Sequence, residues 1–160
     1  MSITAELITE LPAGFDPDKA HWMQFSSSPR FDYPIDYGIA VIAADVAANR
    51  IDYLARWSPN AFCHYHRHLG ETRAVVLRGE QHVRETKGLE TVHKVRRAGF
   101  VGHVPDGETH MECAGPEGLM MLFSTYAPDG RLFEVLDKSG TVLNAATIGE
   151  FVTMLQANAA

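Results

Sequence analysis

From Gly38 onward, apolar and polar residues alternate in short runs separated by turn-forming residues. GIAVIAADV (38–46) predicts a buried strand, AANR (47–50) a turn and IDYLARW (51–57) an alternating strand. SPN (58–60) predicts a further turn and AFCHYHRH (61–68) a strand, followed by a break at Leu69-Gly70. The β-branched run RAVVLRG (73–79) ends at Gly79, which punctuates the pattern. EQHVRE (80–85) and ETVHKVRR (90–97) predict a hairpin about the tight turn TKG (86–88). AGFVGHVP (98–105) leads into a turn at Asp106-Gly107, and THMECAG (109–115) and GLMMLFSTY (118–126) follow as strands. RLFEVLD (131–137) and TVLNA (141–145) form a last hairpin around Lys138-Ser139-Gly140. Short strands with turn signals every eight to twelve residues predict an all-β sandwich or barrel.

The two ends read differently. Pro12, Gly14, Pro17, Pro29 and Pro34 interrupt any long element in residues 1–37. That segment is expected to be an arm packing on the barrel or on a partner subunit, with a short strand over 20–25. Near the other end, Thr147 and Glu150 have capping-box spacing, and Phe151, Met154 and Leu155 fall on one helical face. The expected organisation is an N-terminal arm, 1–37, and one barrel with a short C-terminal helix, 38–160. There is no internal repeat.

Composition narrows the class. A length of 160 residues, 46% hydrophobic and 21% charged, fits one globular domain that buries its own core. A formal charge of −6 argues against nucleic acid or an anionic membrane as the main partner. No apolar run approaches membrane-spanning length, and MSITAELITELPAGFD has acids where a secretory signal carries Lys or Arg. Cys63 and Cys113 form no spaced framework, so a reducing, cytoplasmic location is expected.

The candidate chemistry lies in the histidines. His64, His66 and His68 are each two residues apart, so on a strand all three imidazoles face one way. Neutral imidazoles crowded on one face are costly as core and well suited to a divalent transition metal. His110, just after the turn at Asp106-Gly107, is the candidate third ligand beside two of those three. The same run is also compatible with an exposed edge that merely scavenges metal. His21, His82 and His93 have no partner in sequence and are assigned to the surface, which is also favoured for His103.

Two stretches carry a family resemblance. PNAFCHYHRHLGETRAVVLRGE (59–80) resembles the first motif of the cupin superfamily, and GFVGHVPDGETHMECA (99–114) resembles the second. In the second, Gly99, Pro105, Gly107 and His110 keep the family spacing, with Ala114 where many cupins have Asn. In the first, Pro59-Asn60 and Gly79 place the family's His-x-His on His66 and His68. The other register uses His64 and His66, with Glu71 after a four-residue gap. The resemblance implies an all-β fold, the double-stranded β-helix or cupin jelly-roll barrel, with metal ligands His66, His68 and His110. In the favoured register the family's glutamate falls on Thr72 or Arg73, so Glu71 remains only as a candidate extra ligand.

A three-histidine site without that glutamate resembles small cupin dioxygenases that cleave acetylacetone. The implied function is a non-haem iron dioxygenase breaking a C–C bond in a small diketone or hydroxyketone, with O₂ as co-substrate. Fe(II) is the favoured metal, with Zn, Ni or Mn as alternatives, and His64 and Arg73 are candidate catalytic residues. Phe62, Met120, Leu122 and Phe133 are candidate pocket walls, and Tyr65 and Arg67 are expected to face away. The alternatives are a non-redox metal cupin (isomerase, lyase or decarboxylase) and a metal-binding regulatory or sensor cupin. The partners implied are a small-molecule substrate and a second copy of the chain in a homodimer.

Overall fold

Two long antiparallel strands, β5 (Glu71–Lys87) and β8 (Thr109–Tyr126), pair along most of their lengths and serve both walls of the barrel. The computed structural model describes residues 16–87 and 89–159. The other strands are β1 (Met23–Ser26), β2 (Asp36–Asp45), β3 (Arg50–Trp57), β4 (His66–His68), β6 (Glu90–Arg97), β7 (Val101–Val104), β9 (Arg131–Leu136) and β10 (Val142–Thr147). One wall runs β1, β2, β3, the C-terminal half of β8, the N-terminal half of β5, then β7. The other runs β10, β9, β4, the N-terminal half of β8, the C-terminal half of β5, then β6. The curled sheet is a jelly roll: all-β as the pattern predicts, and of the type that the resemblance implies.

The long strands pass from one wall to the other at facing glycines. Gly79 has φ +79°, and a Cβ there would sit 2.1 Å from the Gly118 carbonyl oxygen; Gly118 itself has φ +84°. Only glycine fits so close an approach in the left-handed region. The ladder shifts register on both sides of Gly79, between Val76/Arg78 and Gly79/Gln81. In sequence each long strand looks like two that stop at these positions; the glycines bend the strands and do not end them.

Alternation then fills the interior. Tyr37 and Ile39 of β2, Tyr53, Ala55 and Trp57 of β3, and Met121 and Phe123 of β8 are buried against Ala74 and Val76 of β5. The outer face of the first wall carries a smaller cluster of Ala40, Leu54, Leu77 and Met120, with Leu122 packed against it. Met120 and Leu122 therefore lie outside the barrel, one strand position out of phase with the chamber.

The segment 61–68 is strand only at β4; before it, Phe62 makes isolated bridges to Ile35 and Cys113. The hairpin of β5 and β6 pairs out to Lys87 and Glu90, into the predicted turn. Helix α1 (Ile148–Ala159) opens on the expected capping box: Thr147 N–H donates to Glu150 Oε2 at 3.1 Å and Glu150 N–H to Thr147 Oγ1 at 3.2 Å. Phe151 packs edge-on against Tyr53, 6.2 Å between ring centres, which closes one end of the barrel. The side chains of Met154 and Leu155 lie outside those described. No described helix is long and apolar enough to cross a membrane. Of the arm, β1 pairs in register with β2, and residues 1–15 lie outside the described region.

Candidate metal centre

Strand pairing brings the distant histidines together. His66 lies opposite His110 across the β4–β8 ladder, so both side chains point to the same inner face. His68 is in phase with His66, two residues along β4. The turn before β8 is tied to the same strand, since Gly107 N–H donates to the His68 carbonyl and His68 N–H to the Glu108 carbonyl, both at 2.8 Å.

The result is a group of three imidazoles able to hold a metal ion. His68 Nε2 lies 3.1 Å from both His66 Nε2 and His110 Nε2. His66 Nδ1 donates to the His64 carbonyl at 2.8 Å, and His110 Nδ1 to Glu108 Oε1 at 3.0 Å. In the neutral tautomers that those acceptors select, Nε2 carries no proton. A proton on His68 Nε2 bridges only one of its two neighbours, so at least one pair of lone pairs faces across 3.1 Å. A cation at the convergence removes that conflict. Two donors about 2.1 Å from one ion lie about 3.0 Å apart at right angles and about 3.4 Å apart in a tetrahedron. The spacing of His68 to each neighbour is that of two donors at right angles about one ion.

Burial disfavours the charged form of His66 and His68. Burial, followed by repulsion from His110, lowers His66 to about 3. Burial also pushes His68 well below the usual histidine value. Thr72, fully buried, puts Oγ1 3.4 Å from His68 Nδ1 and 2.9 Å from Thr125 Oγ1.

His66 and His68 line a chamber of about 40 Å³ walled by Tyr37, Tyr53, Trp57, Phe123 and Phe133. Of the predicted apolar walls only Phe133 lines it. Phe62 packs instead against Tyr33, and Met120 and Leu122 are on the outer face.

His64 is a neighbour of the triad and not part of it. Its Nδ1 is 2.8 Å from the Tyr37 hydroxyl, and its ring lies edge-on to Phe31. It stands with Tyr37 and Phe133 between the chamber and an outer vestibule that Arg30, Phe31 and Glu150 also line. Burial lowers its pKa.

Arg73 and Glu71 do not reach the chamber. Thr72 and Ala74 occupy the inward positions of β5, so their neighbours face solvent. Glu71 is 69% exposed at the side chain, with Oε1 3.8 Å from His103 Nε2. Arg73 lies opposite His103 and Ser124 on the outer surface. Arg67 also faces out and pairs with Glu134, as expected. His82 and His93 stack on each other on the hairpin, outside the chamber.

One acidic residue in the chamber escaped the sequence reading. Glu112, two positions after His110, is buried, with Oε1 3.5 Å from His110 Nε2 and accepting from Gln81 Nε2 at 2.9 Å. Its Oε2 lies 3.9 Å from Cys63 Sγ. Burial raises its pKa. The phase of β8 gave the signal, because a residue two after an inward histidine also points inward.

No family model and no curated protein matches the chain. Solved structures do. An acetylacetone dioxygenase from Acinetobacter johnsonii superposes with TM-score 0.69 at 13% identity, covering 93% of each chain. An RmlC-like cupin protein from Ralstonia eutropha gives 0.64 at 14% identity over 89% of this chain and 85% of its own. A cupin 2 conserved barrel domain protein from Rhodopseudomonas palustris gives 0.64 at 14%, over 82% and 89%. Other structures sharing the fold include an oxalate oxidase and an oxalate decarboxylase. The fold is that of these cupin structures, and its inner face carries a three-histidine group that could hold a metal ion.

Proposed function

We propose that the protein is a mononuclear iron(II) dioxygenase that cleaves a C–C bond in a small diketone or hydroxyketone, with His66, His68 and His110 as the metal ligands. The observation carrying this reading is the convergence of three buried imidazole Nε2 atoms beside an aromatic chamber. Ferrous iron held there would supply Lewis acidity toward an enolate and electrons for O₂.

The chain's own residues do the rest. Glu108, Thr72 and the His64 carbonyl hold the three rings in orientation. Tyr37, Tyr53, Trp57, Phe123 and Phe133 exclude water and accept an apolar ligand body. His64, fixed by the Tyr37 hydroxyl, stands where a substrate passes from vestibule to chamber and is placed to orient its outer oxygen. The free cysteines Cys63 and Cys113 suit a reducing cytoplasm, and a homodimer is the assembly proposed.

The test is oxygen uptake by iron-loaded protein with 2,4-pentanedione and related diketones and hydroxyketones. Uptake stoichiometric with loss of substrate supports the reading. A zinc-containing protein that consumes no oxygen with any of them refutes it and favours a non-redox cupin.

A further inference from the structure

Two cavities of unequal size meet beside the triad. The chamber has about 40 Å³ of free space and the vestibule about 440 Å³. At roughly 10–15 Å³ for each water, the chamber has room for about three waters, enough for a chelating pair of oxygens and little more. Tyr37, His64 and Phe133 line both cavities. The chamber's other aromatic walls, Tyr53, Trp57 and Phe123, are buried. A ligand body too large for the chamber therefore extends past Tyr37, His64 and Phe133 into the vestibule.

The vestibule suits hydrocarbon. Phe25, Phe31, Val135, Leu143, Ala146 and Phe151 give it buried or half-buried apolar walls, whereas Arg30 and Glu150, its charged lining residues, are exposed. Its neck is held in place, since the Tyr37 hydroxyl lies 2.8 Å from His64 Nδ1 and the Phe31 ring stands edge-on to His64. Ser27 Oγ accepts from Ile35 N–H at 2.6 Å and so ties down the loop that carries Phe31. Walls fixed in advance bind an apolar group with little further ordering. We infer that the vestibule is a subsite for an apolar arm of the ligand, so that the compound this chain takes is a chelating ketone bearing a ring-sized hydrocarbon substituent. This deepens the dioxygenase reading by naming its substrate class, and it rests on the metal site of that reading.

The test needs no turnover. Zinc-loaded protein is titrated by calorimetry with 2,4-pentanedione and, separately, with 1-phenyl-1,3-butanedione, for wild type, Leu143→Trp and Phe31→Ala. The two compounds share their chelating oxygens and differ by a phenyl ring in place of a methyl group. Wild type is expected to bind the phenyl compound at least about tenfold more tightly, given the apolar area that a buried ring removes from water. Leu143→Trp fills the vestibule and should bring the ratio of affinities to within about twofold of unity. Phe31→Ala removes one wall and should lower the ratio about threefold or more. Each variant should hold one zinc per chain. A crystal structure of the zinc form with the phenyl compound should place the ring against Leu143 and Phe151.

Equal binding of the two compounds by wild type overturns the inference, as does an unchanged ratio in either variant that folds. A crystal in which the vestibule is filled by another segment of this chain or by a second copy, with the phenyl ring elsewhere, overturns it too. Binding of neither compound to wild type overturns this inference together with the function proposed above. Preference for the phenyl compound without oxygen uptake by the iron form overturns only the dioxygenase reading.

Discussion

Thr72 supports His68: its hydroxyl sits 3.4 Å from His68 Nδ1, on the first inward position of β5. In many cupins the residue at about this place is a glutamate that binds the metal directly. Here a short neutral hydroxyl holds a histidine from behind. Glu108 does the same for His110 from the turn before β8, at 3.0 Å. Glu108→Ala is predicted to lower metal affinity about 10- to 100-fold with the fold intact, as loss of a histidine's outer partner generally does. Thr72→Val should have a smaller effect, because its contact is longer. Competition against a chelator of known affinity, with circular dichroism as the check on folding, measures both.

The ligand set makes a second prediction. His66→Ala, His68→Ala and His110→Ala should each abolish stoichiometric metal binding, since each removes one of three converging nitrogens. His64→Ala should retain the metal, because its Nδ1 is engaged by Tyr37 and its ring is outside the triad. Metal content after dialysis distinguishes the two groups. Metal lost from His64→Ala and kept in His68→Ala would shift the site by two residues.

The bend between the walls predicts an asymmetry between two glycines. Gly79→Ala places a Cβ 2.1 Å from the Gly118 carbonyl at φ +79°, and should cost more than about 3 kcal/mol or prevent folding. Gly107 also has a positive φ, +86°, but nothing within 4 Å of an added Cβ. Gly107→Ala should cost only about 1 kcal/mol. Urea unfolding of the two variants gives the comparison.

The depressed histidines set a pH dependence for the metal-free protein. In the folded chain His66 titrates near 3 and His68 also lies well below its ordinary value, whereas unfolding restores both to about 6.5. The unfolded state thus binds more protons across that window, so stability rises with pH there. The contribution is fully present above about pH 6.5 and is lost progressively as pH falls toward 3. Denaturant midpoints of metal-free protein between pH 4 and 8 should follow that direction, and the slope should weaken in His66→Ala.

Much of the barrel was legible because strand alternation and turn residues are local signals. The ladder from Ile51 to Trp57, the hairpin at Lys138–Gly140 and the capping box at Thr147 all rest on neighbours in sequence. What failed was phase across a break. Parity could not be carried from His68 through Leu69-Gly70, so Arg73 stood as a candidate although Thr72 holds the inward place. Gly79 and the Gly115–Gly118 stretch read as strand ends, because a strand that bends through a left-handed glycine looks the same in sequence as one that stops. Within β8 there is no break, and the two-residue spacing of Glu112 from His110 was readable. Its partnership with Gln81 was not, since it depends on the register between two strands 31 residues apart.

The central claim is that one metal ion sits where His66, His68 and His110 point their Nε2 atoms. Anomalous diffraction from crystals of the metal-loaded protein tests it most directly. The account predicts a single strong peak within bonding distance of all three nitrogens, with the side toward the chamber open to solvent or ligand. A peak bound by His64, or at the His82–His93 pair on the hairpin with none at the triad, would contradict it.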